Sequence, residues 1–235
     1  MRKVLPVLLA AAIGLTACTY REGGIGGPIT RKFQYFSYLG GDDIRDGCVA
    51  GAPARYRLVY NAVWDEQVRT YDLRRGAPGA GATLETHVFG GLPNLAEGFN
   101  PLDPTGPWRG ASARRQLDES TYLALIRAIE ASGFGEPAPS GTSLPSWGFY
   151  WAVSACAGGR YHFNAWLHPS DRFDRISFDK PLFAADGTRI PVNPPRRLNE
   201  AANRLPSNAD RNDPTVSHFE VKVGENGLVG NIAPF

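Results

Sequence analysis

A serine, a histidine and an aspartate are the residue types of a nucleophilic triad, and one region of this chain could gather all three. Ser154 and His162 stand in the stretch Phe149–His168. It reads Phe-Tyr-Trp-Ala-Val-Ser-Ala-Cys, then Ala-Gly-Gly, then Arg-Tyr-His-Phe-Asn-Ala-Trp-Leu-His, and Pro169 follows. Two aromatic, alternating runs around a short glycine-containing loop predict a β-hairpin. Side chains alternate between the faces of a strand, so the loop length fixes which residues oppose each other. A loop of Ala157, Gly158 and Gly159 sets Ser154 against His162. One face then carries Phe149, Trp151, Val153 and Ala155 beside Tyr161, Phe163, Ala165 and Leu167, and reads as core. The other is mixed, and Ser154, His162, Asn164 and Trp166 form its candidate ligand face. Asp42, Asp43 and Asp46 reach that face if Cys48 is bonded to Cys156. Ser154 lies mid-strand with no Gly-x-Ser-x-Gly elbow to expose it, so a cross-strand polar pair is the competing expectation.

Other constellations are weaker. His162, His168 and Asp171 could share a metal, but six residues along a strand span about 20 Å. There is no Cys-x-x-Cys and no paired histidine at ligand spacing, so neither a metal nor a cofactor is expected. His87 and His218 stand alone. Asn208-x-Asp210-x-Asn212 starts like a calcium loop, but Asp213 stands where glycine is needed and Phe219 where glutamate is needed. Trp147, Tyr150 and Trp166 could make an open platform for a glycan or a protein partner. Aromatic side chains are more often core.

The elements that must position these groups read as α+β. Phe33–Leu39 is an expected strand turned by Gly40-Gly41-Asp42-Asp43. Residues 56–63 and 67–73 are two strands with a turn near Trp64-Asp65-Glu66, and Thr83–Phe89 is another. Gly90–Arg115 contains Pro93, Pro101, Pro104 and Pro107 and reads as a long loop. One principal helix, 119–132, is expected between an Asp118 N-cap and a Gly133 stop. Its Tyr122, Leu125, Ile126 and Ile129 fall on one apolar stripe. Later come an expected strand over Phe173–Phe178, a hairpin over Leu182–Val192 and a short helix from Pro194. A last hairpin turns at Glu225-Asn226-Gly227. With no repeat and no second linker, residues 32–235 make one domain with a mainly antiparallel sheet.

The first eighteen residues read as a targeting segment. Arg2 and Lys3 precede the apolar run Val4–Leu15, which is too short to cross a bilayer, where a helix needs roughly 20 residues. The run ends in Leu15-Thr16-Ala17-Cys18. This resembles the lipobox of bacterial lipoproteins. The resemblance implies a signal peptide over 1–17, cleavage before Cys18, diacylglycerol on its sulfur and an acyl chain, such as palmitate, on the new amino terminus. Two or more chains hold a protein stably on a membrane, whereas one does not. Thr19, rather than an aspartate, follows the cysteine, which by the same resemblance favours the outer membrane, facing the periplasm. Residues 18–31, with Gly23-Gly24-Ile25-Gly26-Gly27-Pro28, read as a flexible tether.

Loss of the leader removes Arg2 and Lys3 from 25 basic residues and nothing from 23 acidic ones, so the mature chain is formally neutral. Short pairs such as Arg114-Arg115 give no electrostatic footprint for nucleic acid. Of three cysteines, lipidation of Cys18 leaves Cys48 and Cys156, which in an oxidising envelope are expected to bridge. The sequence thus leads to a membrane-anchored envelope lipoprotein that binds a partner or supports an assembly. The alternatives are a hydrolase using His162 with Ser154 and an aspartate from 42–46, and a glycan binder.

Overall fold

The structure, a computed structural model, describes residues 19–21, 25, 28–90, 110–198 and 219–229. The leader with Cys18, residues 91–109 of the expected long loop, the calcium-like 208–213 and His218 lie outside the described residues.

Strands β1 (Arg55–Ala62), β2 (Gln67–Arg75), β3 (Ala82–Phe89) and β4 (Ala111–Leu117) run as a meander. The hairpin β6 (Phe149–Ala157) and β7 (Arg160–His168) then joins the free side of β1. The result is a six-stranded sheet of order β4-β3-β2-β1-β6-β7 in which every pair is antiparallel. A second sheet of order β5-β8-β9 is built from β5 (Ser143–Pro145), β8 (Glu220–Val223) and β9 (Leu228–Val229). The chain is α+β, as expected.

Both faces of the large sheet are covered. Helix α3 (Glu119–Ala131) lies on one, with Tyr122, Leu125 and Ile129 turned inward against Tyr56, Leu58, Trp151 and Val153. The Asp118 carboxylate accepts from the Thr121 amide at 2.7 Å, which caps the helix start. Gly133, at φ +81°, turns the chain away after its end. Helix α1 (Pro28–Gly40) and the small sheet cover the other face, where Tyr35, Phe36 and Leu39 meet Val59, Tyr150, Ala152 and Phe163. Because it is sandwiched, β1 is buried at every position after Arg55, and β6 up to Cys156.

Several elements differ from the sequence reading, each for a physical reason. Phe33–Leu39 is the second half of α1, not a strand. Tyr35, Phe36, Tyr38 and Leu39 are all buried, and that spacing makes one helical stripe. Each such burial contributes roughly 1.5–3 kcal/mol, enough to fix a helix too short to hold alone. The spacer over 18–31 is shorter than expected, since Tyr20 and Ile25 are buried and α1 opens at Pro28. Strand β4 emerges from the end of the expected long loop. It is one of the two edge strands, and exposed Arg114 and Arg115 suit an edge better than apolar residues would. Phe173–Phe178 and Leu182–Val192 hold no strands. They hold the short helices α4 (Asp171–Asp174) and α5 (Asp179–Ala185), which bring Phe178 and Leu182 onto the α3 face of the sheet. Residues 194–198 are not helical. No helix among the described residues is long and apolar enough to cross a membrane.

Candidate functional site

The hairpin closes with two loop residues, not three. Gly158 (φ +59°) and Gly159 (φ +71°) form the turn, and Ala157 pairs with Arg160. Positive φ at both central residues is the primed turn that matches strand twist, and Gly-Gly is one of its sequence signals. Ser154 therefore opposes Phe163, and Ala155 opposes His162. A slip of one residue exchanges the two faces of β7. His162, Asn164 and Trp166 share the α3 face with Trp151 and Val153, while Ser154 faces α1.

On the α3 face the three polar groups of β7 have a partner within the chain. The Trp166 indole donates to the Ser132 carbonyl at 3.1 Å. The fully buried Asn164 amide donates to the carbonyls of Phe134 and Glu136, both at 2.9 Å. Its own oxygen accepts from the Ala165 amide and from Arg172. His162 Nε2 lies 2.6 Å from the Phe134 carbonyl, and its ring packs edge-on against Phe134. A helix leaves its last carbonyls unpaired, and the turn after it adds more. Ser132, Gly133 and Ser177 serve those of the last helical turn, and β7 satisfies those of Ser132, Phe134 and Glu136 in the turn that follows. His162, Asn164 and Trp166 of the expected ligand face are thus the latch that holds residues 132–136 on the sheet.

The aspartates gather on the opposite face, as the cysteine pairing requires. Cys48 and Cys156 are at disulfide distance, with Cα atoms 5.6 Å apart. Helix α2 (Asp42–Asp46) is thereby held over β6, so closely that a Cβ on Gly41 would stand 2.3 Å from Ser154 Oγ. Asp43 does not use Ser154. It pairs with Arg57 at 2.6 Å and Arg55 at 2.9 Å, and both arginines also bind Asp72. Burial alone would raise the Asp72 carboxyl, but hydrogen bonding from Arg55 and the charges of Arg57 and Arg55 outweigh it and hold the group well below the usual carboxylate range. Arg57 is wholly buried, with its guanidinium 3.8 Å from the Tyr38 ring centre. Burial pushes the Tyr161 phenol up to about 12. A second buried arginine, Arg69, pairs with Asp186 and binds the Pro191 carbonyl, which fastens the 186–191 segment. The register thus separates Ser154 from His162, and the aspartate beside Ser154 is spent on arginine.

The platform residues are dispersed as well. Tyr150 and Trp166 are fully buried on opposite faces, and only Trp147 is part-exposed. Trp147 lines a trough of about 630 Å³ where the β6–β7 ends meet the small sheet. Phe149, Leu167 and Pro145 complete an apolar floor, and Arg196, Arg197, His168 and Glu220 stand around it. The Arg196 guanidinium lies 5.2 Å over the Phe149 ring and pairs with Glu66 at 2.7 Å. Arg197 and Glu220 are exposed, and neither has an ion pair among the described residues. Ser143 lines the same trough, but no hydrogen bond among the described residues joins it to His168 or Glu220. A nucleophile needs its base within hydrogen-bond reach. Among the described residues no three His, Cys, Asp or Glu side chains group to hold a metal.

The trough is not legible in sequence because its parts come from four separated segments, and Arg197 stands beside Arg196 in a short basic pair like Arg114-Arg115. The apolar floor gave no signal of its own, since Phe149 and Leu167 were placed in the core. Compared with protein-family models, with curated proteins and with solved structures, the chain matches none.

Proposed function

We propose that this chain is a lipid-anchored envelope protein, held at Cys18, whose folded domain works by binding a ligand in the trough beside Trp147. The anchor rests on one observation, the basic start and apolar run that end in Leu15-Thr16-Ala17-Cys18. The approach of Cys48 to Cys156 supports an oxidising compartment and leaves Cys18 as the remaining thiol. The outer membrane, facing the periplasm, is the location this reading favours. For the ligand, an apolar floor with Arg197 and Glu220 at its rim, neither ion-paired among the described residues, suits a short zwitterionic peptide, or a wall fragment that carries one. Arg197 would take the carboxylate and Glu220 the amine.

Expression in a two-membrane bacterium tests the anchor. Mass spectrometry should find a mature chain that starts at a triacylated Cys18, and Cys18→Ala should keep the fold but leave the membrane fraction. A mature chain with its leader attached, or with an unmodified Cys18, would end the proposal. For the trough, quenching or enhancement of tryptophan fluorescence by wall peptide fragments should vanish in Trp147→Leu and weaken in Arg197→Ala. Fluorescence that no fragment alters would refute this ligand class.

A further inference from the structure

The first described residues after Cys18 are not slack chain. The Tyr20 side chain is buried, its ring packs edge-on against Tyr38 at 4.8 Å, and the Arg57 guanidinium lies 5.0 Å from its centre. The Tyr20 amide also donates to Ser37 Oγ at 3.0 Å, and Ile25 is buried in the same cluster. Two residues of extended chain reach at most about 7 Å. A lipid on Cys18 therefore meets the folded body almost where it leaves the bilayer.

The place where Tyr20 docks determines which surface lies beside the anchor. From Arg57 under Tyr20, a row of paired residues runs outward across the sheet: Asp72 on β2, Glu85 on β3 and Arg114 on β4. Strands lie about 4.8 Å apart, so Glu85 is roughly 10 Å from Arg57. Helix α1 and the small sheet stop short of this part of the face. Glu85 and His87 are part-exposed, and Ser112, Arg114 and Gln116 are exposed. Arg21 and Arg74, near the same corner, are exposed too. Among the described residues the surface beside the anchor is polar and net basic, which suits phospholipid headgroups carrying negative charge.

We propose that the mature domain lies directly on the membrane, with the uncovered β3–β4 face turned toward the headgroups, because Tyr20 leaves its anchor no slack. This rests on the lipoprotein reading above and adds an orientation to it. The α3 face then points away from the bilayer.

The test uses the lipidated full chain in vesicles of zwitterionic and anionic phospholipid. A benzophenone amino acid is placed at Ser112 on the uncovered face or at Leu123, which is exposed on α3. Lipid crosslinking should exceed that at Leu123 several-fold when the probe is at Ser112. A flexible Gly/Ser insertion of about twelve residues between Thr19 and Tyr20, with an r.m.s. reach near 20 Å, should bring the two sites to parity. Neutron reflectometry of the unsubstituted protein on a supported bilayer gives an independent readout. The protein layer should begin at the headgroups, and the insertion should open a water-filled gap. If a verified lipoprotein crosslinks equally from both sites, or crosslinks protein at Ser112, the orientation is wrong and the anchor stands. A chain that carries no lipid removes both.

Discussion

At the scale of single residues, the most demanding group is Arg57. Its side chain has no exposed surface, and it is held by two carboxylates, the Tyr38 carbonyl and two aromatic faces. Removal of one partner from a buried ion pair leaves the other charges uncompensated. Arg57→Met should therefore cost about 3–5 kcal/mol, read from urea unfolding, despite the apolar replacement. Asp72 sets a pH dependence with a definite sign. Its folded pKa is lowered, so the unfolded state binds more protons in acid. The stabilisation is complete above the ordinary aspartate value of about 4 and is lost as pH falls below it, by on the order of 3 kcal/mol. Denaturation midpoints should fall with pH in that window, and Asp72→Asn should flatten the slope. None of this was legible in the sequence. Arg55, Arg57 and Asp72 alternate with apolar residues as surface charges on a half-exposed strand do, and only the covering of the second face turns them into a buried cluster.

At the scale of elements, the hairpin shows what alternation can and cannot decide. Its existence, its strands and its glycine turn followed from composition. Its register did not, because β6 and the middle of β7, 163–166, are buried on both faces and no solvent side penalises the wrong pairing. The Gly-Gly pair was the local signal for a two-residue turn, and counting Ala157 into the loop moved every β7 side chain to the other face. Helix α3 was legible to within a residue or so because it has a cap, a stop and a one-sided stripe, three signals that agree. The true register explains why β7 carries Asn164 and His162 at all: they meet the carbonyls that the turn after α3 leaves open. Asn164→Leu keeps the volume but orphans the Glu136 carbonyl, leaves the Phe134 carbonyl to His162 alone and removes the oxygen to which Arg172 donates, and a buried polar group left unpaired costs about 1–3 kcal/mol. The expected outcome is a loss on the order of 2–4 kcal/mol in thermal or chemical unfolding. Faster amide exchange should be confined to residues 132–136 and the end of α3. Exchange that rises uniformly across the sheet would show that the latch is not a local device.

At the scale of the whole molecule, three layers are held together by few covalent means, and the cysteine pair is the one that joins layers. It ties the α1–α2 side, at Cys48, to the end of strand β6, at Cys156, across 108 positions of sequence. The pairing was legible from cysteine arithmetic and compartment alone. The layers it joins were not, since α1 had been read as a strand. The same corner carries Asp43 on Arg55 and Arg57, and Gly41 against Ser154, so noncovalent contacts already fix the geometry that the bridge locks. The two contributions separate by where they act. If the bridge works mainly by restricting the unfolded chain, a closed loop of this length is worth at most about 5 kcal/mol, and native bridges typically give 2–5. The Cys48→Ala/Cys156→Ala variant should then unfold at lower urea with a steeper dependence on denaturant, because the freed unfolded chain exposes more surface. Its folded state should keep Tyr161 half-buried and Tyr20 buried, as read by near-ultraviolet circular dichroism. A midpoint that drops with an unchanged slope, together with loss of the aromatic signal, would place the effect in the native state. In that case α2 would depend on sulfur, rather than on Asp43, to stay on the sheet.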